Sequence, residues 1–129
     1  MVLRQANEWS DLSEENGPMS QALAVYGSLV PGEKNHWVVR NIEGEWMPGV
    51  VRGFDFDITW GPAEGYEGFL PDDSGNNVAV MVLVSDHLEK NWRPIDDFQG
   101  DGFVRQSVSV TLGDGTAIQA WIYVALTDS

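Results

Sequence analysis

The chain has 129 residues, of which 43% are hydrophobic and 11% aromatic, and this length and composition fit one globular domain. The chain has 20 acidic and 7 basic residues, and its formal charge of −13 argues against binding to nucleic acid or to an anionic membrane surface. The absence of cysteine excludes disulfides and thiol catalysis. With no apolar signal core at the N-terminus and no apolar run near the ~20 residues of a membrane span, a cytoplasmic protein is the simplest expectation.

The first twenty residues differ from the rest of the chain. They are mostly polar, their few apolar residues are loosely spaced, and the breaker pair Gly17-Pro18 lies near their end. We therefore expect residues 1–20 to be a polar N-terminal extension and residues 21–129 to form the domain.

Apolar patterning predicts about five strands and two short helices in the domain. The first strand is the apolar run Ala22–Tyr26, which is followed by Gly27. An alternating stretch within 46–57 predicts a second strand, whereas residues 61–75 contain several glycines and prolines and are interpreted as a loop. The longest apolar run, Val78–Val84, predicts a buried strand.

The last third of the chain is predicted to form a helix and then a hairpin. Leu88 and Trp92 have helical spacing, and Ser85 is a candidate N-cap for that helix. Residues 104–112 alternate between apolar and polar, and residues 118–126 follow after a Gly-Asp-Gly turn, which favours an antiparallel pair. The pattern predicts an α+β fold built on a small mixed β-barrel or curled sheet with short helices.

Common catalytic and metal-binding motifs are absent from the sequence. It contains no Gly-x-Ser-x-Gly, and His36 and His87 without any cysteine make a zinc site weak, so a structural role is the better interpretation of both histidines. The run Asp72–Asn77 lacks the spacing and the closing glutamate of a calcium loop. We expect neither a metal ion nor a cofactor.

Several segments resemble, in the same order, the motifs of the γ-glutamylcyclotransferase-like (AIG2-like) superfamily. Tyr-Gly-Ser-Leu at 26–29 and Pro-Gly-x-x-Asn at 31–35 are similar to the family's signature, and Gly53 lies in a strand where the family has a glycine. Gly-Tyr-x-Gly at 65–68 resembles its glycine-tyrosine-proline-glycine loop. The segment 95–105 is similar to its Leu-Asp-x-Phe-Glu-Gly-x-x-Tyr-x-Arg motif. These matches extend over nearly the whole domain.

The resemblance implies an enzyme that cyclises a γ-glutamyl group to 5-oxoproline and releases the attached amine. In that reaction the α-ammonium loses a proton and the leaving nitrogen gains one, and a single carboxylate can do both in turn. Fixed backbone N–H groups would hold the substrate oxygens. The expected partner is a small γ-glutamyl-type ligand, and homodimer formation stays open. The implied substrate-binding residues are Tyr26, Gly27, Ser28, Leu29, Tyr66 and Phe103.

Two positions depart from the family pattern. Gln99 stands where the family has its catalytic glutamate, and an amide cannot accept a proton near neutral pH. Glu67 stands where the family usually has proline, so a carboxylate is present on a neighbouring segment. We expect a pocket for a γ-glutamyl or similar small amino-acid ligand with weak or no turnover. The alternatives are an active cyclotransferase with Glu67 or a nearby aspartate as its base, and a non-catalytic interaction or oligomer module.

Overall fold

A mixed sheet is the main element of the computed structural model, which describes residues 21–126. In this part of the chain the strands are β1 (Gln21–Val25), β2 (Glu45–Asp57), β3 (Glu67–Pro71), β4 (Asn76–Ser85), β5 (Phe103–Leu112) and β6 (Ala117–Ala125). One α-helix, α1, comprises Trp92–Gln99, and short 3-10 turns lie at Gly27–Leu29, His36–Val38, Glu89–Asn91 and Gly100–Gly102. The expected N-terminal extension, residues 1–20, lies outside the described residues.

Five of the strands close into a barrel. The strand order is β3-β2-β4-β1-β6-β5, and β5 returns to β2 through the pairs Gly49–Leu112 and Val50–Thr111. β1 is antiparallel to β4 and parallel to β6, whereas β3 pairs with the Gly53–Asp57 end of β2 and is the outer strand. The expected α+β fold with a small mixed barrel is confirmed.

Alternation along the strands divides the core into two groups of buried side chains. In β1, Ala22 and Ala24 pack into one group while Leu23 and Val25 pack into the other, as the two-residue period of a strand requires. The first group includes Val51, Phe69, Val82, Val110 and Ile122. The second lies against α1 and includes Leu29, Leu83, Leu88, Trp92 and Ile95. Packing of Trp92 and Ile95 against β1 therefore holds the helix on the barrel.

The expectation that residues 61–75 form a loop throughout is wrong, because they contain β3. Gly68 has a structural reason to be in that strand: a Cβ at this position would lie 2.8 Å from the Cβ of Ala125. The glycine that suggests a loop in the sequence is thus a place where β3 passes close to the side chain of Ala125 on β6.

No helix within residues 21–126 is long and apolar enough to cross a membrane.

The expected helix start at Ser85 is also wrong. Ser85 is the last residue of β4, where it pairs with Gln21, and its Oγ accepts a hydrogen bond from the His87 N–H at 2.9 Å. The α-helix begins at Trp92 after a 3-10 turn. A serine hydroxyl can cap a turn as well as a helix, and strand pairing decides between the two here.

Candidate functional site

A cavity of about 280 Å³ lies at the end of β1. Three separated segments form it: the turn after β1, the segment leading into β3, and the end of α1 with the start of β5. Its volume is near the lower end of the roughly 300–1,000 Å³ typical of small-molecule sites, which suits a ligand of amino-acid size. The lining includes Tyr26, Ser28, Leu29, Pro62, Ala63, Tyr66, Glu67, Phe98, Gln99, Gly100, Asp101, Phe103 and Tyr123.

The structure brings the residues singled out in the sequence to one place. Apart from Gly27, all of them line this cavity, and Gly27 lines an adjoining groove that shares Ser28, Tyr66 and Glu67 with it. Sequence reasoning missed Phe98, Ala63 and Tyr123. Tyr123 had a usable signal, because it is a tyrosine within the apolar run 120–125 of the closing strand.

The turn after β1 requires a glycine at position 27, and hydrogen bonds from Asn35 to Ser28 stabilise it. Gly27 has φ +64°, and a Cβ on it would lie 3.3 Å from the Cβ of Glu67. The buried Asn35 donates its side-chain Nδ2 to Ser28 Oγ at 3.0 Å and its backbone N–H to the Ser28 carbonyl at 2.9 Å. His36 Nδ1 hydrogen-bonds with the Leu29 carbonyl oxygen at 2.9 Å. His36 therefore has the structural role expected for it.

Tyr26 connects this turn to β6. Its hydroxyl donates to the Tyr123 carbonyl oxygen at 2.6 Å, and its ring packs on Phe69 with the ring centroids 5.9 Å apart. Burial and the nearby Glu67 carboxylate raise the pKa of Tyr26 well above its usual range. The phenol is therefore neutral at physiological pH and acts as a hydrogen-bond donor.

A second network fixes the helix that carries Gln99. Asp96 accepts hydrogen bonds from Arg105 Nε at 3.1 Å and Nη2 at 3.2 Å, and from the Tyr123 hydroxyl at 2.6 Å. The Arg105 guanidinium also lies 4.2 Å from the centre of the Trp92 ring. Since Gln99 is the last residue of α1, this attachment to β5 and β6 holds its side chain at the cavity.

We expect Asp96 to stabilise the fold above acidic pH. Burial alone would raise the pKa of Asp96, but the hydrogen bonds from Arg105 and Tyr123 hold it below its usual range. A carboxyl whose folded-state pKa is depressed stabilises above its unfolded pKa of about 3.9 and loses that contribution as the pH falls through the folded value. The melting temperature of Asp96→Asn should therefore be lower than wild type at pH 7, and the difference should shrink below about pH 4. Asp97→Asn, on the exposed side of the same helix, is the control, and an equal pH dependence in both variants would contradict this role.

Two carboxylates line the cavity: that of the exposed Asp101, just after α1, and that of Glu67. Glu67 is half-buried at the start of β3, opposite Asp57 on β2. Burial, a hydrogen bond with Asp55 and the charges of Asp55 and Asp57 together raise the pKa of Glu67 above that of an ordinary glutamate. No group of three or more histidine, aspartate or glutamate side chains among the residues 21–126 could hold a metal ion.

The fold defines a class of small barrel proteins that also includes solved structures. An AIG2-like protein from Mus musculus is 21% identical with a TM-score of 0.64, covering 86% of this chain and 80% of that one. A structure described as a gamma-glutamyl cyclotransferase is 16% identical with a TM-score of 0.62, covering 84% of this chain and 68% of that one. YkqA from Bacillus subtilis is 26% identical with a TM-score of 0.64 over 83% of this chain, which spans 36% of the length of YkqA.

Residues 23–129 match the family model described as gamma-glutamyl cyclotransferase, AIG2-like. The chain therefore belongs to the AIG2-like gamma-glutamyl cyclotransferase family, and the resemblance inferred from its motifs is confirmed. No curated protein sequence matches the chain.

Proposed function

We propose that the cavity binds the γ-glutamyl part of a small amide. Gln99 cannot act as the proton acceptor at position 99, so turnover that relies on this residue is weak or absent. One observation carries the proposal: Gln99 lines the same amino-acid-sized cavity as Tyr26 and the turn residues Ser28 and Leu29. An amide side chain keeps the shape and the hydrogen-bonding capacity of a glutamate, but it does not accept a proton near neutral pH.

The chemistry of the walls suits a γ-glutamyl group. Such a group carries an α-ammonium, an α-carboxylate and an amide carbonyl, so it needs acidic and donor groups close together. Glu67 offers a carboxylate for the ammonium, and Gln99 offers an amide N–H for a ligand oxygen. The backbone N–H groups of the turn at Ser28 and Leu29 would hold the oxygen of the ligand's amide carbonyl.

Thermal unfolding in the presence of γ-glutamyl-alanine tests the proposed binding. A ligand present at 100 times its Kd stabilises a protein by about 2.7 kcal/mol, so we expect a clear rise in melting temperature. The isomer α-glutamyl-alanine has the same atoms and charges with the peptide bond on the other carboxyl, and it should raise the melting temperature much less. Equal shifts with both isomers would contradict a γ-glutamyl site. No shift with any γ-glutamyl compound would favour the interaction module instead.

A second candidate function is an active γ-glutamyl cyclotransferase. The specific observation in its favour is that the cavity containing Gln99 also contains the Glu67 carboxylate. The two candidates share the ligand and differ in whether 5-oxoproline is released.

A further inference from the structure

We infer that Glu67 is the catalytic acid–base group of this cavity and replaces the carboxylate that position 99 lacks. The inference rests on the proposed function of the cavity as a γ-glutamyl site. Glu67 and Gln99 come from different elements, β3 and α1, yet both line one cavity of about 280 Å³. A single small ligand in that volume can reach both side chains.

The face of β3 that carries Glu67 points inward. Glu67 and Phe69 lie on the same face because successive side chains of a strand alternate, and Phe69 is fully buried inside the barrel. The buried ring therefore anchors the strand that presents Glu67. An exposed loop glutamate in such an acidic chain would need no special explanation, but a glutamate on the inner face of a strand does.

Glu67 also lies directly against the turn proposed to hold the ligand oxygens. Its Oε1 is 3.4 Å from the point where a Cβ on Gly27 would be, and its own Cβ is 3.3 Å from that point. Because Gly27 has no side chain, the carboxylate can approach the backbone of this turn. Glu67 is thus next to Ser28, where the reacting carbonyl would be oriented.

The surroundings of Glu67 favour a carboxyl that both accepts and donates a proton. Its burial and the neighbouring acids on β2 raise its pKa above that of an ordinary glutamate, and this direction makes the carboxylate a better proton acceptor. Tyr26 faces it from the end of β1 and stays neutral. The other charged and titratable groups lie on several elements. They are Asp55 and Asp57 from β2, Tyr66 and Glu64 from the preceding segment, Asp101 from the turn after α1, and Glu33 and Lys34 from the adjoining groove. Asp101 is exposed, whereas Glu67 is half-buried on a strand.

The reaction moves two protons, one after the other, from the α-nitrogen to the leaving nitrogen. The Glu67 carboxylate accepts a proton from the α-ammonium, and the resulting amine attacks the γ-carbonyl carbon to form the five-membered ring. The bond between that carbon and the leaving nitrogen then breaks as the protonated Glu67 gives its proton to this nitrogen. The restored carboxylate removes the second proton from the ring nitrogen, which leaves the neutral lactam, and passes it to the released amine, which departs as an ammonium. The products are 5-oxoproline and the protonated amine, and Glu67 ends as a carboxylate.

The test measures 5-oxoproline release and binding together, with γ-glutamyl-alanine as the probe. We expect Glu67→Gln to lower kcat by roughly 100- to 10,000-fold, because proton transfer is lost. Its Kd should rise by a much smaller factor, because the amide keeps a hydrogen bond but not the charge that faces the ammonium. Glu67→Asp keeps a shortened carboxylate and should retain part of the rate. Glu89→Gln removes one exposed charge that lines neither the cavity nor the adjoining groove, and it should leave the rate unchanged.

The pH profile distinguishes catalysis from a structural role. The rate of wild type should fall as the pH drops through the raised pKa of Glu67, and this acid limb should disappear in Glu67→Gln. The inference is overturned if Glu67→Gln keeps the wild-type rate, or if wild type binds γ-glutamyl-alanine without releasing 5-oxoproline. In both cases the proposed ligand site survives. Absence of binding by wild type would overturn both proposals.

Discussion

The double variant Glu67→Gln, Gln99→Glu is expected to release 5-oxoproline roughly 100- to 10,000-fold faster than Glu67→Gln alone. The reason is geometric, because positions 67 and 99 line the same cavity, so a carboxylate removed from β3 can be returned at the end of α1. The helix end is held in place by the Asp96–Arg105 ion pair, with 3.1 Å between Oδ1 and Nε, and does not depend on residue 67.

The single variant Gln99→Glu is the companion to this experiment. It places two carboxylates in one small cavity, where like charges raise the pKa of at least one of them. We therefore expect the acid limb of its pH–rate profile to move to higher pH than in wild type. A double variant that still binds γ-glutamyl-alanine but is no faster than Glu67→Gln would show that position 99 does not reach the reacting atoms.

Gly53→Ala is expected to destabilise the fold by about 3 kcal/mol, which corresponds to roughly 10 °C in melting temperature for a domain of this size. A Cβ at Gly53 would lie 2.2 Å from the Leu70 carbonyl oxygen and 2.6 Å from the Phe69 ring. Neither neighbour can move freely, because the first is backbone and the second is fully buried. The clash would push β3 away from β2, and with it the strand that carries Glu67.

Gly113→Ala is the matched control for this prediction. A Cβ at Gly113 meets no atom within 4 Å, and this glycine does not have the positive φ of its turn neighbour Gly115. The same substitution there should change the melting temperature little. Thermal unfolding of both variants measures the difference, and equal losses would mean that the close approach at Gly53 is not what makes a glycine necessary.

Local patterns account for most of the fold that could be predicted from the sequence. The apolar run Val78–Val84 predicted the central strand, and the alternation before and after Gly-Asp-Gly predicted the β5–β6 hairpin. β3 was not predictable in this way, because its residues include Gly68 and Pro71 and it is a strand only through its pairing with β2. The helix begins at Trp92 and not directly after Ser85, because Ser85 pairs in the sheet with Gln21, a residue far away in the sequence.

The candidate site was predictable in composition but not in arrangement. Motif order was sufficient to single out the turn at 26–29 and position 99, since each lies within a short recognisable segment. Only the folded chain shows that Glu67 lies on an inner strand face, and that Tyr123 joins the turn to the helix through Tyr26 and Asp96. These relations depend on barrel closure, for which a single sequence contains no local signal.

The site is assembled from distant parts of the chain, and this has a consequence for folding. The hydrogen bond between Tyr26 and Tyr123 joins residues 97 positions apart, and β1 meets β6 only when nearly the whole domain is in place. Contacts of such long sequence separation form slowly, because the entropy of closing a long loop must be overcome first. The β5–β6 hairpin can form early without creating any pocket. We therefore expect the pocket to form late in folding, and any ligand affinity of the proposed site to appear only once the barrel is complete.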